Sequence, residues 1–300
     1  MIHKTNDKRK PEHAWIETEG VRLHYWDWPG TEPALLCLHG LTSNGRYWGA
    51  LAEHLENRIL AVDLRGRGLS DKPPSGSYGL ARHARDMAAF IQLAGVSPCC
   101  VIGHSMGATI TACLAGGYPQ QVSHAVIIDG GTPGEEFHTP GIREKLRASL
   151  GRLSVRYENA QAYLQYWHEK SFVQPCSEAY EQYLIADMDV FPDGTVMCRA
   201  ALHAVEEDLN YAIHTPETVF ENLLRQGRCP SLAVWAPCGH IHPEHPLVSK
   251  GTIEKVARLI PNCRLLTVGG VHHYNMLFRE DAVGQIAGEV VELIHNRYII

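Results

Sequence analysis

Short runs of apolar residues recur along the chain and alternate with longer stretches in which apolar residues repeat every three to four positions. Runs of roughly four to eight apolar residues are typical of buried strands, and the longer stretches are typical of amphipathic helices. The predicted strands are residues 34–38, 59–62, 99–102, 125–128, 232–235 and 265–268. Strands that alternate with helices predict an α/β fold, a mostly parallel sheet flanked by helices.

The alternation stops between residues 132 and 225, where the chain is rich in Arg, Glu, Tyr and Ala at helical spacing. Residues 160–168 and 177–186 are predicted helices, and no strong strand pattern occurs in this segment. Because ligands of open α/β sheets bind at the carboxyl ends of the strands, an insertion covering that edge is favoured. We predict a core of residues 1–131 and 226–300 with a helical cap inserted at 132–225, and a second independent domain is the alternative.

The two ends of the chain carry different patterns. Residues 281–296 place apolar side chains at helical spacing, which predicts a last helix that closes the core. Residues 1 to about 13 hold several Lys and Arg with no apolar segment behind them, which predicts a frayed tail rather than a signal peptide.

Composition limits the classes of function. Apolar residues make up 45% of the chain and charged residues 20%, as in globular proteins with a large core. The net charge of −6 and the lack of a long basic run argue against a nucleic-acid partner. No stretch approaches the roughly 20 apolar residues that span a bilayer. No pattern specifies an oligomeric state.

The nine cysteines are odd in number, and Cys99 and Cys100 are adjacent inside a predicted buried strand. This favours reduced thiols over a disulfide framework. The lack of a membrane-spanning stretch and of an apolar N-terminal segment predicts a cytoplasmic protein. The chain has no Cys-x-x-Cys pair, so a structural zinc of the cysteine type has no support.

The run Gly-His-Ser-Met-Gly at residues 103–107 joins a predicted strand to small residues with helical character. Gly-x-Ser-x-Gly alone is a modest signal, but a strand, a sharp turn and a helix are the setting of a nucleophilic serine. Glycines on both sides leave room for a strained turn, and the helix that follows directs its amides at an oxyanion. We predict Ser105 as the nucleophile, with a solvated serine in a plain turn as the alternative.

Two further loops follow predicted strands: His39-Gly40-Leu41, and residues 63–70, which read Asp-Leu-Arg-Gly-Arg-Gly-Leu-Ser. Together with the serine motif they resemble the α/β-hydrolase superfamily over most of residues 15–131 and 226–300. The resemblance implies an oxyanion site built from the backbone amides of Leu41 and Met106, with His39 and Gly40 shaping the loop. The 63–70 loop lacks the Gly-Lys-Ser or Gly-Lys-Thr ending of a phosphate-binding loop, so a structural role is favoured.

The chain order in this superfamily is serine, acid, histidine. Two adjacent histidines, His272 and His273, follow the last predicted strand, and adjacent side chains in a loop point apart. The resemblance to family spacing favours His273 as the base, and His272 is the alternative.

The acid departs from the commonest family pattern, because the loop at residues 236–240 contains no carboxylate. Asp129 closes the strand after the nucleophile helix, where some haloalkane dehalogenases and lipases of the superfamily carry their acid. We therefore predict Asp129 as the acid, with Glu244 as the alternative. Glu244 lies in a segment with three histidines, but Pro243 and Pro246 disrupt a regular ligand geometry, so no metal is predicted.

A serine nucleophile argues against epoxide hydrolysis and dehalogenation, which use a carboxylate. The resemblance implies a serine hydrolase of the esterase and lipase-like branch, without a cofactor, that cleaves a carboxylic ester of a small, apolar substrate. Hydrolysis of a lactone, an amide or a carbon–carbon bond uses the same catalytic triad, and these activities are alternatives. A non-catalytic ligand receptor of the same fold is an alternative from a different class of function. Aromatic residues of the predicted cap either line an acyl pocket or, as helical spacing favours, pack in its core: Tyr163, Tyr166, Trp167 and Phe172.

Overall fold

The computed structural model describes residues 9–133, 150–169, 173 and 176–295. Its strands are β1 Glu12–Thr18, β2 Val21–Trp28, β3 Thr31–Leu38, β4 Asn57–Val62, β5 Cys99–His104, β6 Val122–Ile128, β7 Met188–Val190, β8 Val196–Cys198, β9 Ser231–Trp235 and β10 Cys263–Thr267. Eight of them form one sheet in the order β1-β2-β4-β3-β5-β6-β9-β10. The pairs β1–β2 and β2–β4 are antiparallel, and the remaining pairs are parallel.

The helices are α1 Gly49–His54, α2 Leu80–Leu93, α3 Met106–Gly117, α4 Ala160–His168, α5 Glu178–Ala186, α6 Leu202–His214, α7 Glu217–Gln226, α8 Lys250–Leu259 and α9 Glu280–His295. Two short 3-10 helices occupy Gly45–Trp48 and Gly151–Ser154. None of the helices among the described residues has the length and apolar character needed to cross a membrane.

The central strands are buried on both faces. In β5, Cys100 and Ile102 pack in a core cluster with α1 and α9, whereas Cys99 and Val101 pack in a cluster with α2 and α3. Double burial explains why these strands read as continuous apolar runs rather than as an alternation. The predicted α/β class is confirmed, and each of the six predicted strands overlaps a strand of the sheet.

The frayed tail predicted for residues 1 to about 13 is wrong at its carboxyl end. Residue 12 begins β1, and Arg9 is anchored as well. Its guanidinium donates to the carbonyls of Pro29 at 2.7 Å and Asn57 at 2.9 Å. Strands β1 and β2 escaped prediction because they lie at the antiparallel edge, where polar residues interrupt the apolar pattern.

Between β6 and β9 the described residues form α4 to α7 and a small antiparallel hairpin of β7 and β8. The expectation of helices without strands was therefore incomplete, because strands of three residues leave no readable periodicity. The insertion bounds 132–225 stay a prediction. Helix α7, inside those bounds, packs on the core helix α3, where a Cβ on Gly116 would lie 2.3 Å from the carbonyl oxygen of Leu223.

Candidate active site

Ser105 lies at the carboxyl end of β5 with a φ of 57°, a left-handed conformation that a non-glycine residue rarely adopts. The surrounding glycines make this turn possible. A Cβ on Gly103 would lie 2.1 Å from the carbonyl oxygen of Gly107, and a Cβ on Gly107 would lie 2.0 Å from that of Leu38. The turn therefore brings β5, α3 and the end of β3 closer together than any side chain there allows.

His39 shapes the loop that faces Ser105. Its Nε2 accepts a hydrogen bond from the Leu64 amide at 3.0 Å, and its Nδ1 donates to the Gly40 carbonyl at 2.7 Å. Burial lowers the pKa of His39 to about 4, which keeps the ring neutral in this tautomer. A Cβ on Gly40 would lie 3.3 Å from the Cβ of Ser105, so the loop passes directly beside the serine.

Leu41 and Met106 both line the cavity that contains Ser105. Met106 is the first residue of α3, and the first amides of a helix have no carbonyl partner within it. These positions are where the sequence predicts the oxyanion donors.

The structure brings Ser105, His273 and Asp129 together. The Nε2 atom of His273 lies 3.1 Å from the Oγ of Ser105, and its Nδ1 lies 2.7 Å from the Oδ2 of Asp129. The other carboxylate oxygen of Asp129 accepts the amide of Ala236 at 3.1 Å. Ala236 is the first residue of the loop after β9, in which most relatives carry their catalytic acid. In this protein the backbone of that loop binds the Asp129 carboxylate, which follows the neighbouring strand β6.

The alternative residues lie elsewhere. His272 accepts the Tyr274 amide at its Nδ1, 3.2 Å away, whereas the bond to the serine hydroxyl is made by His273. Glu244 is 64% exposed, with His245 3.7 Å from its carboxylate. In the described part of the chain, the His240–His245 segment does not bring three metal-ligand atoms together, whereas His168, Cys176 and Glu181 place theirs within 4.8 Å of one another.

His104 is a site residue that the sequence reasoning missed. Its Nε2 donates to the backbone carbonyl of His273 at 3.0 Å, and the two rings are 4.5 Å apart between centroids. Burial, with the nearby His273, lowers the pKa of His104 well below its usual range, so the ring is a neutral donor. His104 is the variable residue before the serine in the motif, and that position is the signal that could have identified it.

Residues 63–70 form a loop whose Asp63 and Arg67 side chains bond to segments around the site. The Asp63 carboxylate accepts the amides of Gly45 at 2.6 Å and Leu69 at 2.9 Å. Burial alone would raise the pKa of Asp63, but the hydrogen bond and charge of His24 outweigh it and the pKa is lowered. Arg67 donates to the Leu41 carbonyl at 3.0 Å and pairs with the buried Asp208 of α6 at 2.5 Å. The loop thus joins the predicted oxyanion segment to α6.

A cavity of about 590 Å³ lies over Ser105, within the usual range for small-molecule sites. Of the four aromatic residues singled out in the sequence, Tyr166 and Trp167 line it. Tyr163 is buried in the insertion and donates to Asp187, while Phe172 lies outside the described residues. Arg152 also lines the cavity, and its Nη2 donates to the Oγ1 of Thr42 at 2.7 Å.

Residues 33–280 match the family model described as alpha/beta hydrolase fold. The chain belongs to the α/β-hydrolase family. It is 39% identical over 102 residues to a 2-(acetamidomethylene)succinate hydrolase of Mesorhizobium japonicum, covering 33% of this chain and 36% of that protein. It is 34% identical over 116 residues to an N-formylmaleamate deformylase of Pseudomonas putida, covering 38% and 43%.

The matched segments thus span less than half the length of either of these curated relatives. Among solved structures, the crystal structure of an E-2-(acetamidomethylene)succinate hydrolase superposes with a TM-score of 0.78 at 24% identity. That superposition covers 95% of this chain and all of the other, and at this identity it shows the α/β-hydrolase fold alone.

Proposed function

We propose that this α/β-hydrolase is a serine hydrolase that cleaves a carboxylic ester, or a related acyl bond, of a small substrate through an acyl-enzyme on Ser105. The observation that carries the proposal is the unbroken chain of contacts from Ser105 through His273 to Asp129 at the floor of a cavity. Those three side chains supply a nucleophile, a base and an acid in the order that acyl transfer requires.

The geometry supports the following proton path. Because the Asp129 carboxylate accepts only, the Nδ1 of His273 carries the proton and its Nε2 is free to accept from Ser105. Ser105 attacks the acyl carbonyl as His273 takes its proton, and Asp129 stabilises the imidazolium. His273 then protonates the leaving group, and water activated by His273 releases the acyl group.

The developing oxyanion is held by the amides of Leu41 and Met106. Backbone donors suit this task because their positions are fixed before the reaction begins. His39 supports one of them, since its bond to the Gly40 carbonyl fixes the peptide plane that precedes Leu41.

Amide-type hydrolysis is the second candidate. It is favoured by the names of the two relatives, a deformylase and a 2-(acetamidomethylene)succinate hydrolase. Lactone and carbon–carbon bond hydrolysis would use the same residues, and a ligand receptor would keep the cavity without turnover.

We also propose that the protein works in the cytoplasm on a small molecule, without a cofactor. All nine cysteines are free thiols, and Cys37, Cys99 and Cys100 are buried in the core of the sheet. Free buried thiols are typical of reducing compartments.

The test is a panel of 4-nitrophenyl acetate, an acetanilide and a small lactone with the wild type and Ser105→Ala. We expect turnover of the ester by the wild type and none above background by Ser105→Ala. Turnover that survives in Ser105→Ala would overturn the proposal. Covalent labelling of Ser105 by a fluorophosphonate, without turnover of any of the three compounds, would favour the non-catalytic ligand receptor.

A further inference from the structure

Arg152 places a cation in a cavity whose lining is otherwise largely aromatic and aliphatic. It lies in the 3-10 helix Gly151–Ser154, and its guanidinium stacks 4.9 Å from the centre of the Trp167 ring. Its Nη2 donates to the Oγ1 of Thr42, the residue after the predicted oxyanion donor Leu41. The cation is therefore held beside the loop that faces the reacting carbonyl.

Among the residues that the structure describes, the charge of Arg152 has no carboxylate paired with it. Within the described residues no carboxylate oxygen lies within 4.0 Å of its nitrogens, although Asp187 is near enough to act on it electrostatically. The Tyr163 hydroxyl and the Cys198 thiol both donate to the Oδ2 of Asp187, and among the described residues no hydrogen bond joins Asp187 to Arg152. A guanidinium has five N–H donors, and within that part of the chain Thr42 alone accepts from Arg152, which leaves the other donors for a group that enters the cavity.

Two buried arginines near the site, Arg65 and Arg67, differ in this respect from the half-buried Arg152. Arg65 makes a two-pronged pair with Asp86 at 2.5 and 2.6 Å, and Arg67 pairs with Asp208. A buried cation is costly unless it is paired. These two arginines thus have their own carboxylates, whereas Arg152 lines the cavity without one among the described residues.

We propose that Arg152 is a carboxylate-binding residue, and that the substrate is an acyl compound that carries a second, anionic carboxyl group. This rests on the proposed function, because the scissile carbonyl lies at Ser105 while the carboxylate pairs with Arg152. Half-esters and half-amides of short dicarboxylic acids have this form. A guanidinium matches a carboxylate with two parallel hydrogen bonds, and the aromatic walls hold the carbon chain between the two ends.

The test compares two esters of the same shape. Monoethyl succinate carries a terminal carboxylate, and ethyl levulinate carries a methyl ketone in its place. The wild type is expected to favour the succinate ester. Because a hydrogen-bonded charge pair is lost, Arg152→Met is expected to lower kcat/KM for monoethyl succinate by about 10- to 100-fold, mainly through KM, with ethyl levulinate nearly unchanged. Arg152→Lys is expected to restore part of the preference.

Arg156→Met is the matched control, because Arg156 pairs with the exposed Asp193 at 2.9 Å and does not line the cavity. It is expected to leave the ratio of the two esters unchanged. If Arg152→Met lowers both esters equally, or neither, the proposal is wrong.

A binding measurement separates this inference from the proposed function. Succinate is titrated calorimetrically into Ser105→Ala and into the Ser105→Ala, Arg152→Met double variant, each checked for an unchanged melting temperature. We expect Ser105→Ala to bind succinate, and we expect the double variant to bind it at least about tenfold more weakly. Equal binding by both proteins would overturn the carboxylate site even if Ser105 is the nucleophile. Loss of binding together with turnover that survives in Ser105→Ala would overturn the proposed function alone.

Discussion

Replacing Asp129 by asparagine keeps the shape of the side chain and removes one acceptor and the charge. The carboxylate is 1% exposed and accepts two hydrogen bonds, from His273 at 2.7 Å and from the Ala236 amide at 3.1 Å. An asparagine offers one acceptor and one donor group, so one of these two donors must face an amide NH₂. If that donor is His273, the ring takes the tautomer with the proton on Nε2, and it cannot accept from Ser105.

The opposite orientation sets the amide NH₂ against the Ala236 N–H, which costs about 1–3 kcal/mol for an unsatisfied buried group. The charge that stabilises the imidazolium is lost in both cases. Loss of the acid's charge in a Ser-His-Asp triad lowers kcat by about 10⁴-fold, which corresponds to about 5.5 kcal/mol of transition-state stabilisation.

The assay is kcat for a 4-nitrophenyl ester, with the melting temperature of each variant measured alongside. Glu244→Gln is the control, since that carboxylate is exposed and bound to His245 rather than to the triad. It is expected to keep wild-type activity. An Asp129→Asn protein that folds normally and retains a tenth of wild-type kcat would refute the assignment of the acid, as would a large loss in Glu244→Gln.

Two further predictions test the framework of the site. Gly107→Ala is expected to lower the free energy of unfolding by about 1–3 kcal/mol and to lower activity, because its Cβ would meet a backbone oxygen 2.0 Å away. Gly117→Ala, at the other end of α3 with no atom within 4 Å of its Cβ, is the control expected to change little, and equal effects would contradict the steric account. Since burial lowers the pKa of His39 from 6.5 to about 4, the unfolded chain binds a proton between these values that the folded protein does not. Above pH 6.5 this group has no effect on the pH dependence of stability. As the pH drops from 6.5 toward 4, protonation of His39 in the unfolded chain lowers the free energy of unfolding by about 3 kcal/mol. Urea unfolding across that range measures it, and a decline just as steep in His39→Gln would assign it to other groups.

The strands of the sheet could be predicted from the sequence where they are buried on both faces. Strands β5 and β6 each contain four consecutive buried apolar residues, 99–102 and 125–128, and such runs are typical of strands buried on both faces. The edge strands β1 and β2 carry exposed polar residues, and the β7–β8 hairpin packs on Tyr163 through Met188 and Val196. Tertiary contacts rather than local pattern determine those elements.

Part of the candidate site could be predicted from local pattern. The glycines around Ser105 are required by a strained turn, and Asp129 directly follows the apolar run of β6. His104 has a local signal in its place before the serine, but its contact with the His273 carbonyl joins residues distant in sequence. Arg152 carries no local mark, because its contact with Thr42 is seen only in the folded chain.

The most direct test of the central claim is covalent labelling with a fluorophosphonate, followed by intact mass and peptide mapping. The wild type is expected to gain one adduct, on the peptide that contains Ser105, and Asp129→Asn is expected to gain it far more slowly. Ser105→Ala is expected to gain none. An adduct on a different residue, or labelling of Ser105→Ala at the wild-type rate, would contradict the assignment of Ser105 as the nucleophile.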